Sequence, residues 1–322
     1  MNVLDRVEGS LLGLAVGDAL GSQVEFAPPG SFDPVTDLAG GGPWHLPVGA
    51  WTDDTSMALC LADSLIAGRG FDPVDQLDRY VRWWRTGYRS AIGHCFDIGG
   101  TTAEALRRFE QSRNPYCGST DPHKAGNGSL MRLAPVPLFF HRTPVEAITW
   151  AGQSSRTTHG ARTCVDACRY AAGLIVGALA GATKEELLGP AFAPVDGLWM
   201  REPLTARINA VAGGSFKQKQ PPAIRGTGYV VDTFEAALWA FWTTDTFTDG
   251  VLAAVNLGDD ADTVGAVYGQ IAGAYYGVDA IPRDWRERIV QVDAIRDVAE
   301  RLAVGAPGDD RATSSVETLT DG

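Results

Sequence analysis

Gly265, Gly269 and Gly273 recur at every fourth position of one helical pattern, covering residues 262–276. Residues four apart on an α-helix share a face, so this face carries no side chains and lets a second helix come very close. A helix of that kind belongs at the centre of a helical packing. The chain opens on a related pattern, in which Val3, Val7, Leu11, Leu14 and Leu20 keep helical spacing and Gly13 and Gly17 permit close approach. Further helical patterns cover about 53–68, 74–86, 101–112, 143–152, 161–181, 203–212, 232–243, 247–257 and 283–303. No set of alternating strand patterns accompanies them; the best strand-like run, Gly-Tyr-Val-Val-Asp at 228–232, is short. No repeat period and no Pro- or Ser-rich linker divides the chain. The expected fold class is all-α, a single compact multi-helix domain over residues 1–306, with 307–322 a polar, aperiodic and disordered tail.

Charge narrows the partners. With 27 basic and 39 acidic residues the net charge is -12, which disfavours a protein made to bind a phosphate backbone. Nucleic acid is thus an unfavoured partner, though not a forbidden one, and backbone N–H groups can still hold a phosphate-bearing small molecule. The opening Met1-Asn2-Val3-Leu4-Asp5-Arg6 lacks the basic and then apolar run of a secretory signal, and the longest apolar stretch, Leu174 to Ala180, is too short for a membrane span. A cytoplasmic protein without a membrane partner is expected, with a monomer as the working state. The five cysteines form no CxxC; Cys164 and Cys168 share a face of an Ala-rich helix and read as small buried residues rather than zinc ligands.

Three long loops are rich in glycine and polar residues: Ala27 to Trp51, Asn114 to Ser129, and Gly213 to Gly228 with Lys217, Lys219 and Arg225. Loops of that length in a compact domain are functional or disordered. Two acidic clusters stand beside helical patterns. In Trp51-Thr52-Asp53-Asp54-Thr55, Thr52 can cap the helix and the carboxylates can sit against its dipole. The alternative is a set of hard oxygen ligands for a cation. Leu257-Gly258-Asp259-Asp260-Ala261-Asp262-Thr263 decides between them, because it puts three carboxylates at the start of the glycine-striped helix, where burying unpaired charge would be badly destabilising. Carboxylates with threonine hydroxyls suit Mg²⁺ or Mn²⁺ over zinc, and the pairing of clusters points to two ions ~3.5–4 Å apart.

Gly17-Asp18-Ala19-Leu20-Gly21 with Glu25, the Trp51 to Thr55 cluster, Gly126-Asn127-Gly128-Ser129-Leu130-Met131-Arg132, Thr158-His159 and Gly258 to Thr263 together resemble the ADP-ribosylglycohydrolases, in that family's order and across residues 8 to about 278. Phe96-Asp97-Ile98-Gly99 with Thr101-Thr102, and Gly228 to Thr233, are similar to the bacterial dinitrogenase-reductase-activating branch. The resemblance implies an all-α fold with two magnesium or manganese ions at its centre and hydrolysis of the bond at C1″ of the distal ribose in ADP-ribosyl adducts. By position, the metal ligands would be Thr52, Asp53, Asp54, Asp260, Asp262 and Thr263, with Glu25 beside them. Asp259 departs from the family, which commonly has glycine there; it is read as a solvated loop residue outside the ligand set.

Gly126, Asn127, Gly128 and Ser129, ahead of the apolar Leu130 and Met131, offer backbone N–H groups to a phosphate, although such a loop can also be a plain turn. His159, expected to open a helix, sits near the diphosphate in the family and otherwise reads as a capping or core histidine. Tyr229 is expected to stack on the adenine or to serve packing. Asp97 has apolar neighbours that can raise its pKa, with a helix cap as the competing role, and Glu25 is the rival acid/base; both are taken as catalytic. The expected activity is hydrolysis of an N-glycosidic bond from ADP-ribose to a protein arginine. Serine-, acetyl- or nucleic-acid-linked ADP-ribose stand as alternatives, as does a non-catalytic binding, structural or immunity protein.

Overall fold

The structure, a computed structural model, describes residues 1–305, so the expected tail from Pro307 lies outside the described residues. The helices are α1 (Val3–Gly21), α2 (Asp53–Gly68), α3 (Pro73–Thr86), α4 (Gly100–Ser112), α5 (Pro135–Phe139), α6 (Pro144–Arg156), α7 (Arg162–Leu179), α8 (Lys184–Leu187) and α9 (Leu198–Arg201). There follow α10 (Ala206–Ala212), α11 (Val230–Thr243), α12 (Phe247–Val255), α13 (Ala261–Tyr276), α14 (Arg283–Arg288) and α15 (Val292–Val304). Among the described residues there is no strand, only isolated bridges such as Gly126 with Tyr229. None of these helices is long and apolar enough to cross a membrane.

The glycine-striped helix is central. Every residue of α13 from Ala261 to Ala274 is buried, and α1 lies against it backbone to backbone. A Cβ on Gly17 would stand 2.0 Å from the Gly265 carbonyl oxygen, one on Gly13 2.4 Å from that of Gly269, and one on Gly9 2.4 Å from that of Gly273. The pairs advance along α1 while they retreat along α13, so the helices are antiparallel. The last turn of α1 therefore meets the first turn of α13, where a Cβ on Gly21 would be 2.3 Å from the Ala261 oxygen. That single register brings the Asp18–Glu25 region to the Asp260–Thr263 region.

Three local expectations give way to tertiary contacts. The expected helix over 283–303 is broken into α14 and α15, because the backbone between them is taken up elsewhere: Val290 donates to the Gly49 carbonyl at 2.9 Å and accepts from the Trp51 indole at 3.1 Å. Gln291 turns left-handed at φ 57 to restart the helix. The strand-like run at 228–232 spends Gly228 and Val230 on single hydrogen bonds to Asn127 and Ala125, and its valines begin α11. His159 does not open a helix; it lies in the turn between α6 and α7. In the third loop, Lys219 pairs with Glu235 at 2.5 Å and Lys217 donates to the Leu188 carbonyl at 2.6 Å, so these cations fasten the loop to the body.

Candidate active site

Asp18 is fully buried in the last turn of α1, and its carboxylate caps α2 from another helix. One oxygen accepts from the Thr52 N–H at 2.8 Å and the Thr52 hydroxyl at 3.0 Å; the other accepts from the Thr55 N–H at 3.0 Å and its hydroxyl at 2.6 Å. Burial pushes Asp18 up to about 6, while those four hydrogen bonds pull the other way. Thr52 stands at the N-cap position of α2 but its side chain makes no capping bond. Its hydroxyl lies instead among carboxylates, 3.4 Å from Asp54 and 3.2 Å from Asp262. The capping reading of this motif thus fails at Thr52, and the capping falls to Asp18.

The two acidic clusters meet. Asp53 and Asp54 occupy the first turn of α2, Asp260 the N-cap position of α13, and Asp262 and Thr263 its first turn. Glu25, in the loop after α1, accepts from the Trp44 indole at 2.7 Å. Asp97 arrives from the loop before α4 in the left-handed region at φ 58. Carboxylate oxygens of Glu25, Asp97 and Asp262 all lie within 4.8 Å of one another. So many buried carboxylates cannot all ionise. Burial first, and then neighbouring carboxylates, hold Asp53, Asp54 and Asp262 well above the ordinary range and push Asp97 up to about 11. Glu25 is pushed up to about 7, mainly by burial, against the pull of the Trp44 hydrogen bond.

Glu25, Asp53, Asp97, Asp260, Asp262 and Thr263 line a cavity of about 600 Å³ together with Phe26, Trp44, Thr101, Thr102, Gly126, Asn127, Gly128, Met131 and His159, and no lysine or arginine among the described residues lines it. One buried oxygen of Asp54 has no hydrogen-bond partner. An all-oxygen donor set, an orphaned carboxylate oxygen and a lining without lysine or arginine fit a hard divalent metal ion. Asp53, Asp260, Asp262, Thr263, Glu25 and Asp97 face the cavity, while Thr52 and Asp54 are wholly buried beneath them, the Thr52 hydroxyl 3.2 Å from the Asp262 carboxylate. Asp259 is outside the lining. Its φ of 55 explains why glycine suits this position, and its backbone clamps the Glu25 loop, accepting from Phe26 at 2.6 Å and donating to Ala27 at 2.8 Å.

The glycine loop is a turn rather than the start of a helix: Leu130 and Met131 N–H both fold back on the Asn127 carbonyl, at 2.7 and 3.1 Å. This leaves the Gly128 and Ser129 N–H groups without a backbone acceptor among the described residues. Asn127 joins the loop to the acidic cluster, its amide donating to Asp260 at 2.8 Å and Thr233 at 2.9 Å. Gly126, Asn127, Gly128, Met131 and His159 line the cavity as expected, but two residues do not. The Ser129 hydroxyl is spent on Ser155 at 2.8 Å. Tyr229 lies in an adjoining cleft with Thr101, His123 and Lys124.

Sequence reading missed Asp18 and Trp44 as site residues. Asp18 had a signal, a lone charge within Leu11-Leu12-Gly13-Leu14-Ala15-Val16-Gly17-Asp18-Ala19-Leu20. Trp44, inside an irregular loop, had none.

A family model described as ADP-ribosylglycohydrolase matches residues 1–312. The ADP-ribosylarginine hydrolase Tri1 of Pseudomonas putida is 45% identical over 94% of this chain and 79% of its own length, and that of Serratia proteamaculans 41% identical over 95% and 81%. The ADP-ribosyl-[dinitrogen reductase] glycohydrolase of Rhodospirillum rubrum is 32% identical over 89% of this chain and 91% of its own. A solved chain from an ADP-ribosylglycohydrolase-related protein complex superposes with a TM-score of 0.83 at 45% identity, covering 95% of this chain and 99% of that one.

Proposed function

The chain belongs to the ADP-ribosylglycohydrolase family, and from that premise we propose that it hydrolyses the N-glycosidic bond between ADP-ribose and an arginine side chain of a modified protein, releasing ADP-ribose. The observation that carries this reading is one cavity in which a buried, all-oxygen carboxylate cluster adjoins a glycine loop with unspent N–H groups. A ligand with a sugar diol at one end of a diphosphate calls for both. Relatives at 41–45% identity are ADP-ribosylarginine hydrolases, which supports arginine as the acceptor.

Thr52, Asp53, Asp54, Asp260, Asp262 and Thr263 would hold two magnesium or manganese ions, which when bound would neutralise the cluster and act as Lewis acids toward the hydroxyls of the distal ribose. Gly126 to Gly128 and His159 hold the diphosphate, and Asn127 couples their position to the cluster through Asp260. In the hydrolysis a water oxygen bonds to C1″ as the C1″–N bond breaks; the water loses one proton and the departing guanidine nitrogen gains one. Asp97, carried on the cavity wall beside Phe96, suits the donor, and Glu25, held by the Trp44 indole, suits the base. Their oxygens lie within 4.8 Å, a span that one water can bridge to redistribute the proton between turnovers.

The leaving group has to pass the proton donor, and the residues flanking the two carboxylates are aromatic. Phe26, Trp44 and Phe96 form a run with ring centroids 6.4 and 5.7 Å apart, and Phe26 is 62% exposed. Aromatic faces over a carboxylate-rich floor suit a guanidinium with its methylene stem. The test is incubation with arginine-, serine- and nucleic-acid-linked ADP-ribose in Mg²⁺ or Mn²⁺, scoring free ADP-ribose. Release from the arginine substrate by substoichiometric protein is expected; release from none of them overturns the proposal.

A further inference from the structure

Arg132 is wholly buried, yet among the described residues its guanidinium meets no carboxylate. One terminal nitrogen donates to the Gly128 carbonyl, the other donates to the Thr158 hydroxyl at 2.8 Å, and the guanidinium carbon stands 4.8 Å from the Tyr80 ring centroid. Its Nε has no partner. A buried cation surrounded by neutral groups is unfavourable by itself. This one lies directly behind the Gly126–Ser129 loop.

The directions of the hydrogen bonds then settle a tautomer. A guanidinium only donates, so the Thr158 hydroxyl accepts from Arg132, and among the described residues His159 Nδ1, 2.9 Å away, is the one acceptor in reach of its hydrogen. An Nδ1 that accepts leaves the ring proton on Nε2. Burial, and then the charge of Arg132, hold the His159 pKa down at about 3, so the ring is neutral. Nε2 has no protein partner among the described residues and faces the glycine loop. A Cβ on Gly128 would lie 2.8 Å from the ring Cε1 and 3.1 Å from Nε2, so only glycine leaves this edge of the ring open.

We propose that Arg132 is a positioning residue: through the Thr158 hydroxyl it locks His159 as an Nε2–H donor aimed at an anion on the Gly126–Ser129 loop, and that anion balances its buried charge. The identity of the anion, a diphosphate, rests on the ADP-ribose reading; the tautomer is a property of the free protein. The arrangement keeps an arginine out of direct contact with the ligand, so the charge acts at a distance while the contacts are neutral hydrogen bonds.

The experiment is long-range ¹H–¹⁵N spectroscopy on protein labelled at histidine, with His159→Gln assigning the resonance, combined with calorimetric titration of ADP-ribose and of adenosine. In the wild type His159 is expected to be neutral and Nε2-protonated between about pH 5 and 8. Thr158→Ser keeps the hydroxyl and should keep the tautomer, with ADP-ribose affinity within about threefold of wild type. Thr158→Val keeps the shape without the donor; it should lose the single tautomer and weaken ADP-ribose about ten- to a hundredfold, with adenosine binding unchanged. Arg132→Met should weaken ADP-ribose at least as much, and if that variant does not fold the Thr158 pair decides. An Nδ1-protonated ring in the wild type, or a Thr158→Val protein with unchanged tautomer and affinity, overturns the proposal. A wild type with the Nε2 tautomer that binds no ADP-ribose overturns the functional reading, and the charge-balance half of this proposal with it.

Discussion

Stripped of metal, this protein should lose stability as the pH rises through neutrality. In the unfolded chain Asp18 and Asp97 ionise near 3.8 and Glu25 near 4.5; in the fold they stand at about 6, about 11 and about 7. Between those limits the folded chain keeps protons that the unfolded chain has released. The stability they contribute is full below the unfolded values and drains away as the pH climbs through the folded ones. Each such group is worth ~1.4 kcal/mol per pH unit. Between about pH 5.5 and 7.5 Asp97 alone therefore removes about 3 kcal/mol, and Glu25 and Asp18 add to the loss until they titrate. Exposed carboxylates such as Glu104 and Glu110, held low by their lysine and arginine partners, have finished titrating below this window and do not mask the slope. Saturating Mg²⁺ or Mn²⁺ should displace protons from the cluster and flatten or reverse the slope. Urea unfolding at a series of pH values, with chelator and then with metal, reads the effect. A chelated protein whose stability is flat or rising across the window, or a slope that metal leaves unchanged, would refute the reasoning.

Asp54→Asn and Asp260→Asn should each remove most of the activity, and the double variant should lose little more, because ligands of one centre act as a unit; additive losses in the turnover cycle would separate the two clusters. Asp97→Asn should slow turnover roughly a hundredfold or more with ADP-ribose affinity nearly intact; unchanged turnover would move the proton donation to Glu25. Phe26→Ala should raise KM for an arginine-linked substrate about three- to thirtyfold and spare a serine-linked one, if the aromatic run holds the guanidinium. Gly269→Ala would set a methyl group 1.9 Å from the Gly13 carbonyl oxygen and should cost roughly 1–3 kcal/mol or more. Gly68→Ala, with nothing within 4 Å, should be neutral or stabilise by about 0.4–1 kcal/mol, and thermal melts of the two variants check both expectations.

The amino-acid sequence alone determined most of the long helices, the close-packing faces and the composition of the two acidic clusters. Helical spacing of apolar residues is a local property, so the pattern over 53–68 returns as α2, and the four-residue glycine repeat correctly marks α13 as central. Motif order was equally legible, and with it the family and many of the residues that line the cavity. What only the tertiary structure decided is where groups without a local partner find one. Thr52 offered a cap for its own helix, but its side chain makes no capping bond, and the N–H of Thr55 is taken by Asp18 from α1. The Ser129 hydroxyl is taken by Ser155 from the end of α6, which leaves only its backbone N–H for the loop. The helix over 283–303 was continuous by pattern, and Gly49 and Trp51 broke it by claiming the backbone of Val290. Arg132 read as the end of a motif, and its buried charge beneath the loop is visible only once Thr158 and Tyr80 close around it. A hydrogen-bonding group left unpaired in the interior costs more than a helical turn gains, so long-range partners override local preference wherever they compete.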